Sequence, residues 1–187
     1  EQYIGYMFFP NYTDMQAFVI LKNEGGEGKT TIINFISSLM PKSEISSVSL
    51  QQLTQGEKTS KNFSVQELYK KRLNTADDIT NDFIQDGSKI KTLTGGGTLN
   101  APQKGKSDIR FSNYAKLLFA CNDLPEYRDT SKGWNRRPYI LTMKTINDFK
   151  KRYDIKQLYA QRGSFILYCI QDFKKQLNIQ KKQGSAK

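Results

Sequence analysis

Histidine is absent from the 187 residues. That excludes histidine metal sites, a serine–histidine triad and an imidazole proton shuttle. Cysteine is nearly absent too. Cys121 and Cys169 both sit in apolar segments, which reads as two buried free thiols in a reducing cytoplasm rather than a disulfide framework or zinc site. No apolar run approaches ~18 residues, so no membrane span is expected. The N-terminus has no signal-peptide core, and no internal repeat of useful length is present. Acid is in short supply: 18 Asp and Glu stand against 29 Lys and Arg, a net charge of +11. Such a balance favours an anionic partner such as nucleic acid, although a lysine-rich surface alone gives the same sum. The length suits one core and one domain. The chain opens on Glu1 rather than methionine, which suggests a piece of a longer protein.

What the chain does have is glycine in one place. Asn23-Glu24-Gly25-Gly26-Glu27-Gly28-Lys29-Thr30-Thr31 follows the apolar run Ala17–Leu21 and opens onto Ile32-Ile33-Asn34-Phe35-Ile36. Strand, glycine loop, helix is the setting of a phosphate-binding loop. Glycines let backbone N–H groups converge on phosphate oxygens, and the helix start adds positive potential. Glu24 to Thr31 are therefore the candidate nucleotide cradle. Lys29 is placed to reach the β- and γ-phosphates of ATP, and the Thr30 hydroxyl to ligate Mg²⁺. Asn23 stands where the pattern has glycine. Asparagine tolerates left-handed backbone, so the turn is expected to survive.

The remaining chain reads as an α/β domain. Residues 1–14 are aromatic and form a packing segment. Residues 17–22, Leu73–Ala76, Lys116–Cys121 and Tyr139–Met143 read as strands. Val48-Ser49-Leu50 is a strand-like patch inside an exposed loop. Ser64-Val65-Gln66-Glu67 is a capping-box sequence that predicts a helix over 64–71. Residues 98–112 are polar and basic, and suit a projecting hairpin. The apolar face of Phe165, Ile166, Cys169, Ile170, Phe173 and Leu177 predicts a C-terminal helix, and the basic residues 179–187 a disordered tail.

Nucleotide hydrolysis also needs an acid at the end of a neighbouring strand. Asp77-Asp78 follows Leu73–Ala76, so one carboxylate could serve Mg²⁺ and the other the attacking water. We place Asp78 with Thr30 in the candidate metal set, yet the pair remains interchangeable, and Asp-Ile-Thr-Asn is equally good helix-capping sequence. Asn122, after the strand Leu117–Cys121, would put an amide near the γ-phosphate, or would simply turn the chain. Arg136 and Arg137 suit stabilisation of a transferring phosphoryl group, in cis or from a neighbouring subunit. A surface pair serves equally well. Lys104, Lys106 and Arg110 could track a DNA backbone, although such loops are usually just solvated.

In order, these motifs resemble the superfamily 3 helicases of the AAA+ class, in the branch found in phage and plasmid primase-helicases. The phosphate loop is similar to the family's first motif. Lys71–Ile79 is similar to its second, and Tyr114–Pro125 to its third. Lys91–Gly97 with the following hairpin resembles the segment between those two, and Gly133-Trp134-Asn135-Arg136-Arg137 the downstream arginine pair. The likeness runs from about Tyr3 to Leu177. It implies an AAA+ P-loop core with a mostly parallel sheet between helices. It implies a ring, hexameric, with ATP and Mg²⁺ between subunits. Arg136 or Arg137 then reaches the neighbour's nucleotide, with Lys91 facing the same interface. The hairpin grips single-stranded DNA in the channel, with 3′-to-5′ movement along forked DNA during replication. Gly97 stands where relatives carry an acid. The alternative is an ATP-switched origin-melting module that does not unwind processively.

Overall fold

The structure is a computed structural model. It describes residues 1–23, 28–54, 63–77, 79–82, 84, 87–103, 105–144 and 149–184. In chain order the elements are α1 (Gln2–Tyr6), β1 (Phe18–Lys22), α2 (Lys29–Ser37), β2 (Ile45–Ser46), α3 (Leu50–Thr54) and β3 (Leu73–Ala76). There follow α4 (Gly87–Leu93), β4 (Thr98–Gln103), β5 (Lys106–Ser112), β6 (Lys116–Cys121), α5 (Lys132–Asn135) and β7 (Pro138–Thr142). The chain closes with α6 (Phe149–Arg152), α7 (Ile155–Ala160) and α8 (Arg162–Gly184). Short 3₁₀ turns span Lys42–Glu44 and Phe63–Leu68.

Five strands form one parallel sheet in the order β2-β3-β6-β1-β7. A parallel sheet is covered on both faces, so its central strands are apolar throughout rather than alternating. Apart from Lys22 at the end of β1 and Lys116 at the start of β6, both strands follow that rule and distribute their side chains between two cores. Phe18, Ile20, Leu117, Phe119 and Cys121 pack on one face with Leu50, Leu53, Ile90, Leu93 and Trp134. Val19, Leu21, Leu118 and Ala120 pack on the other with Met7, Ile33, Ile36 and Leu39. β4 and β5 pair antiparallel from Thr98↔Ser112 to Gln103↔Lys106. The base of this hairpin lies on the first core through Leu99, Ala101, Ile109 and Phe111.

Three local expectations change. Val48-Ser49-Leu50 is not a strand: Asn74, buried in β3, accepts from Val48 N at 2.9 Å and donates to Val48 O at 2.8 Å. One side chain thus takes the place of a ladder partner, and Leu50 begins α3. The helix expected over 64–71 is a 3₁₀ turn over Phe63–Leu68. The basic tail is helical as far as Gly184, because lysine and glutamine are good helix formers and lysine suits a helix C-terminus. Residues 185–187 lie outside the described residues.

The N-terminal segment is tied to the sheet by polar contacts from half-buried Tyr3 and buried Tyr12. Tyr3 donates to Leu117 O and Tyr12 to Ala115 O, each at 2.8 Å. Gly5 marks the crossing of α1 and α8, where any Cβ would overlap the Cys169 carbonyl. Lys116, fully buried at the start of β6, donates to Phe9 O (2.9 Å), Asn11 O (2.8 Å) and Tyr114 O (2.9 Å). Its ammonium also lies 4.1 Å and 4.6 Å from the ring centroids of Tyr6 and Tyr12. Burial pushes its pKa down to about 7. Three carbonyls and two ring faces oppose that cost, since only the ammonium form has three N–H groups to give.

Burial raises Tyr3, Tyr6 and Tyr12 well above the ordinary tyrosine value of 10.0. Above that value the unfolded tyrosines ionise while the folded ones keep their protons. The folded state then binds more protons, and unfolding free energy falls as pH rises. Denaturant midpoints are expected to drop steadily above pH of about 10, with a shallower drop in Tyr12→Phe. Parallel slopes for the two proteins would show that Tyr12 does not carry the effect.

Candidate functional site

β1 and β6 run parallel with Val19↔Leu118 through Lys22↔Cys121 in register, so their C-terminal ends arrive together. Past those ends, Asn23 N donates to Cys121 O at 3.2 Å, continuing the ladder by one residue. The Asn23 side chain donates from Nδ2 to Met143 O at 2.6 Å, and Met143 N donates to Lys22 O at 3.0 Å. One asparagine therefore joins the ends of β6, β1 and β7. Its side-chain bond to Met143, rather than a left-handed backbone, accounts for asparagine at this position. Among the described residues the one non-glycine with positive φ is Lys70, so Asn23 is not left-handed. It holds the place by its side-chain amide, which glycine lacks.

Glu24, Gly25, Gly26 and Glu27 lie outside the described residues. The loop resumes at Gly28, the residue preceding α2, with φ of +83°, a conformation cheap only for glycine. No acid sits in the first turn of α2, so the positive helix end is not neutralised from within. Lys29 opens the helix. Its ammonium donates to Asn23 O at 2.5 Å and to Asn122 Oδ1 at 2.7 Å. Thr30 and Thr31 are exposed beside it.

β3 pairs with β6 on the side away from β1, up to Ala76↔Phe119. Exposed Asp77 therefore leaves the sheet at the same edge as Asn122 and Lys29. Asp78 lies outside the described residues. Three strand ends thus gather an ammonium, an amide and a carboxylate beside an open helix start. Chemically such an edge can accept an anion: the helix end and Lys29 supply positive potential, and the Asn122 amide a neutral donor or acceptor.

The arginine pair is elsewhere. Arg137 O accepts from Phe18 N at 2.9 Å, at the first residue of β1. β1 has five residues, so the arginines stand about 17 Å from the Lys29 end, at the opposite edge of the sheet. The two differ sharply. Arg137 is buried; its Nε donates to Thr94 Oγ1 at 2.9 Å, and its other nitrogens donate to Gly133 O, Gln16 Oε1 (3.3 Å) and Lys91 O (3.5 Å). Arg136 is exposed and donates to Gln16 Oε1. Arg137 binds the end of α4 to α5 and β7, while Arg136 is the arginine presented outward. Lys91 is also engaged within the chain, 2.7 Å from Asp129. That lysine, with Ser131, holds the Asp129 carboxyl down to about 2. Gln16, which brackets both arginines, carries no signal in the sequence; neither does Asn74.

Lys104 lies outside the described residues, as does the side chain of Lys106. Arg110 is exposed on β5, opposite Asn100.

The division between the arginines is measurable. Arg137→Ala leaves buried Thr94 and several half-buried acceptors without a donor and is expected to cost about 2–4 kcal/mol of stability. Arg136→Ala, at the surface, is expected to stay within about 0.5 kcal/mol. Urea unfolding of the two variants checks both, and equal losses would remove the distinction.

Two solved structures are similar to this chain: the A form apo structure of the NrS-1 C-terminal region, and the A form apo structure of that region described as residues 305–718. The first has TM-score 0.62 and 14% identity, covering 90% of this chain and 40% of the other. The second has TM-score 0.58 and 15% identity, covering 94% and 39%. At such identity the likeness is one of fold, and this chain spans about 40% of those chains' length. No curated protein sequence matches. A family model matches residues 21–137, more than half of the chain and the whole span from the end of β1 to the arginine pair. The chain belongs to the family of unknown function DUF5906.

Proposed function

We propose that this domain is an ATP-driven, DNA-translocating motor of the superfamily 3 helicase kind, working in replication as a ring with ATP and Mg²⁺ between subunits. The observation that carries the reading is the 2.7 Å contact from Lys29 to Asn122 at the shared end of β1 and β6, with Asp77 leaving the next strand at the same edge. A phosphate-loop lysine, a polar sensor and an acid on three adjacent strand ends are the parts nucleotide hydrolysis requires.

The residues present fit the nucleotide. Gly28 is left-handed and the start of α2 carries no acid, so phosphate oxygens can approach backbone N–H groups. Both present acceptors of Lys29 are oxygens, which phosphate oxygens can replace. Among the described residues no three acids or cysteines cluster as a metal cage. Mg²⁺ would rest on Thr30, the phosphates and Asp78. When bound, it would draw charge from the transferring phosphoryl group. Asp77 and Asp78 supply the carboxylate that orients the attacking water, and Asn122 holds that water or the γ-phosphate in line.

The separation of the arginines supports a site shared by two chains. An exposed Arg136 about 17 Å from its own Lys29, across the length of β1, acts on another subunit's nucleotide or on none. Arg137 keeps α4 and β7 in place, and so aims Arg136. By the same reading the hairpin, with Lys104, Lys106 and Arg110, follows the phosphates of a single strand in the ring channel.

Stimulation of ATP turnover by single-stranded DNA is expected, with a loss of about 100-fold or more in Lys29→Ala and at least about 10-fold in Asn122→Ala. Turnover in Lys29→Ala equal to the unaltered protein removes the site. Subunits carrying Arg136→Ala mixed with subunits carrying Lys29→Ala are expected to regain part of the activity. The same mixture made with Arg137→Ala should differ chiefly through stability. Absence of recovery in demonstrably mixed rings would show that Arg136 does not act across an interface.

A further inference from the structure

Beside the hairpin lies a cluster that the nucleotide site does not use. The 3₁₀ turn Phe63–Leu68 ends in Tyr69 and Lys70, closed by Tyr69 N to Gln66 O at 2.9 Å and Lys71 N to Leu68 O at 3.1 Å. Tyr69 packs edge-to-face on Phe111 of β5, with centroids 5.3 Å apart and planes at 67°. It is nevertheless 39% exposed. The Lys70 ammonium rests 5.2 Å from the Tyr69 centroid and the residue is exposed. Arg110, next to Phe111, is exposed on the other face of the same strand.

Lys70 has φ of +58°. A residue that closes a helical turn in the left-handed region is ordinarily glycine, which takes that shape without a Cβ penalty. Here the strained position carries a lysine instead. Strain of this kind, where a cheaper residue exists, points to use of the side chain.

We propose that Tyr69 and Lys70 form a second contact for single-stranded nucleic acid on the flank of the hairpin. A base stacks on the exposed part of the Tyr69 ring, and Lys70 turns from that ring to the adjoining phosphate. A flat ring accepts any base, and a cation beside it holds the backbone, so the contact is independent of sequence. The Phe111 packing fixes the ring to β5, so a shift of the hairpin carries the stacked base with it. The inference rests on the DNA-binding part of the reading above and on none of its nucleotide chemistry.

The test is fluorescence anisotropy of a labelled oligothymidylate titrated with the full chain over a range of salt, without nucleotide. Tyr69→Leu keeps an apolar contact for Phe111 but has no ring, and is expected to bind about 5- to 100-fold more weakly. Lys70→Gly relieves the left-handed strain. It is expected to unfold at an unchanged or higher denaturant concentration, yet to lower the salt slope of binding by about 0.7, one phosphate contact. Duplex DNA of the same length should show no ring effect, because its bases are stacked already. Wild-type affinity and salt slope in both variants would overturn the proposal and leave the ring as a brace for the hairpin. Equal losses on duplex would overturn the stacking role. Failure of the unaltered chain to bind oligothymidylate would overturn this contact together with the DNA-binding reading. DNA binding without ATP turnover would overturn only the motor.

Discussion

The insertion of β6 between β1 and β3 is the constraint on which the rest depends. Had β1 paired with β3 directly, Asn122 would leave the sheet away from the phosphate loop. The loop would then be a generic anion cradle. Parallel pairing in register instead delivers Lys22, Cys121 and Ala76 to one edge. Of the residues that follow those strand ends, Asn23 and Asn122 meet Lys29 without any long loop, and Asp77 leaves at the same edge. Strand ends are also rigid, and a site on them is held more tightly than one on loops.

The same sheet separates the two halves of the chemistry. Residues after the strands meet at one edge, residues before them at the other. Arg136 and Arg137 precede β7, so they are excluded from the Lys29 edge by the length of a strand. Their unequal burial then assigns different work to two adjacent, chemically identical side chains. Arg137 spends its donors on Thr94, Gly133, Gln16 and Lys91. Thr94 adjoins the three-glycine turn that enters the hairpin, so the arginine strand and the hairpin root share one buried guanidinium.

Much of the fold was readable because apolar runs were bounded by polar residues. Leu117–Cys121 is a strand for that reason, with polar Asn122 just beyond it, whereas Leu73–Ala76 holds Asn74 and Thr75 and is a strand through its pairing with β2 and β6. The phosphate loop was readable from Gly28, Lys29 and Thr30. What was not readable depended on partners far along the chain. Val48 is kept from the sheet by Asn74, 26 residues away. Lys116 is sheltered by Phe9 and Asn11, more than 100 residues earlier. Local preference puts Asn23 in a left-handed turn, but Met143 offers it a tertiary hydrogen bond instead.

Local composition by itself determined most of the central strands, the loop chemistry and the excess of positive charge. Those follow from side-chain periodicity, glycine placement and residue counts, which are properties of neighbours in sequence. The tertiary structure alone decided which residues meet. It brought Asn122 to Lys29, sent the arginine pair to the opposite edge, buried Arg137 while leaving Arg136 outside, and set Tyr69 against Phe111. Strand order and side-chain burial are settled by long-range pairing and packing, and identical short sequences can take either outcome.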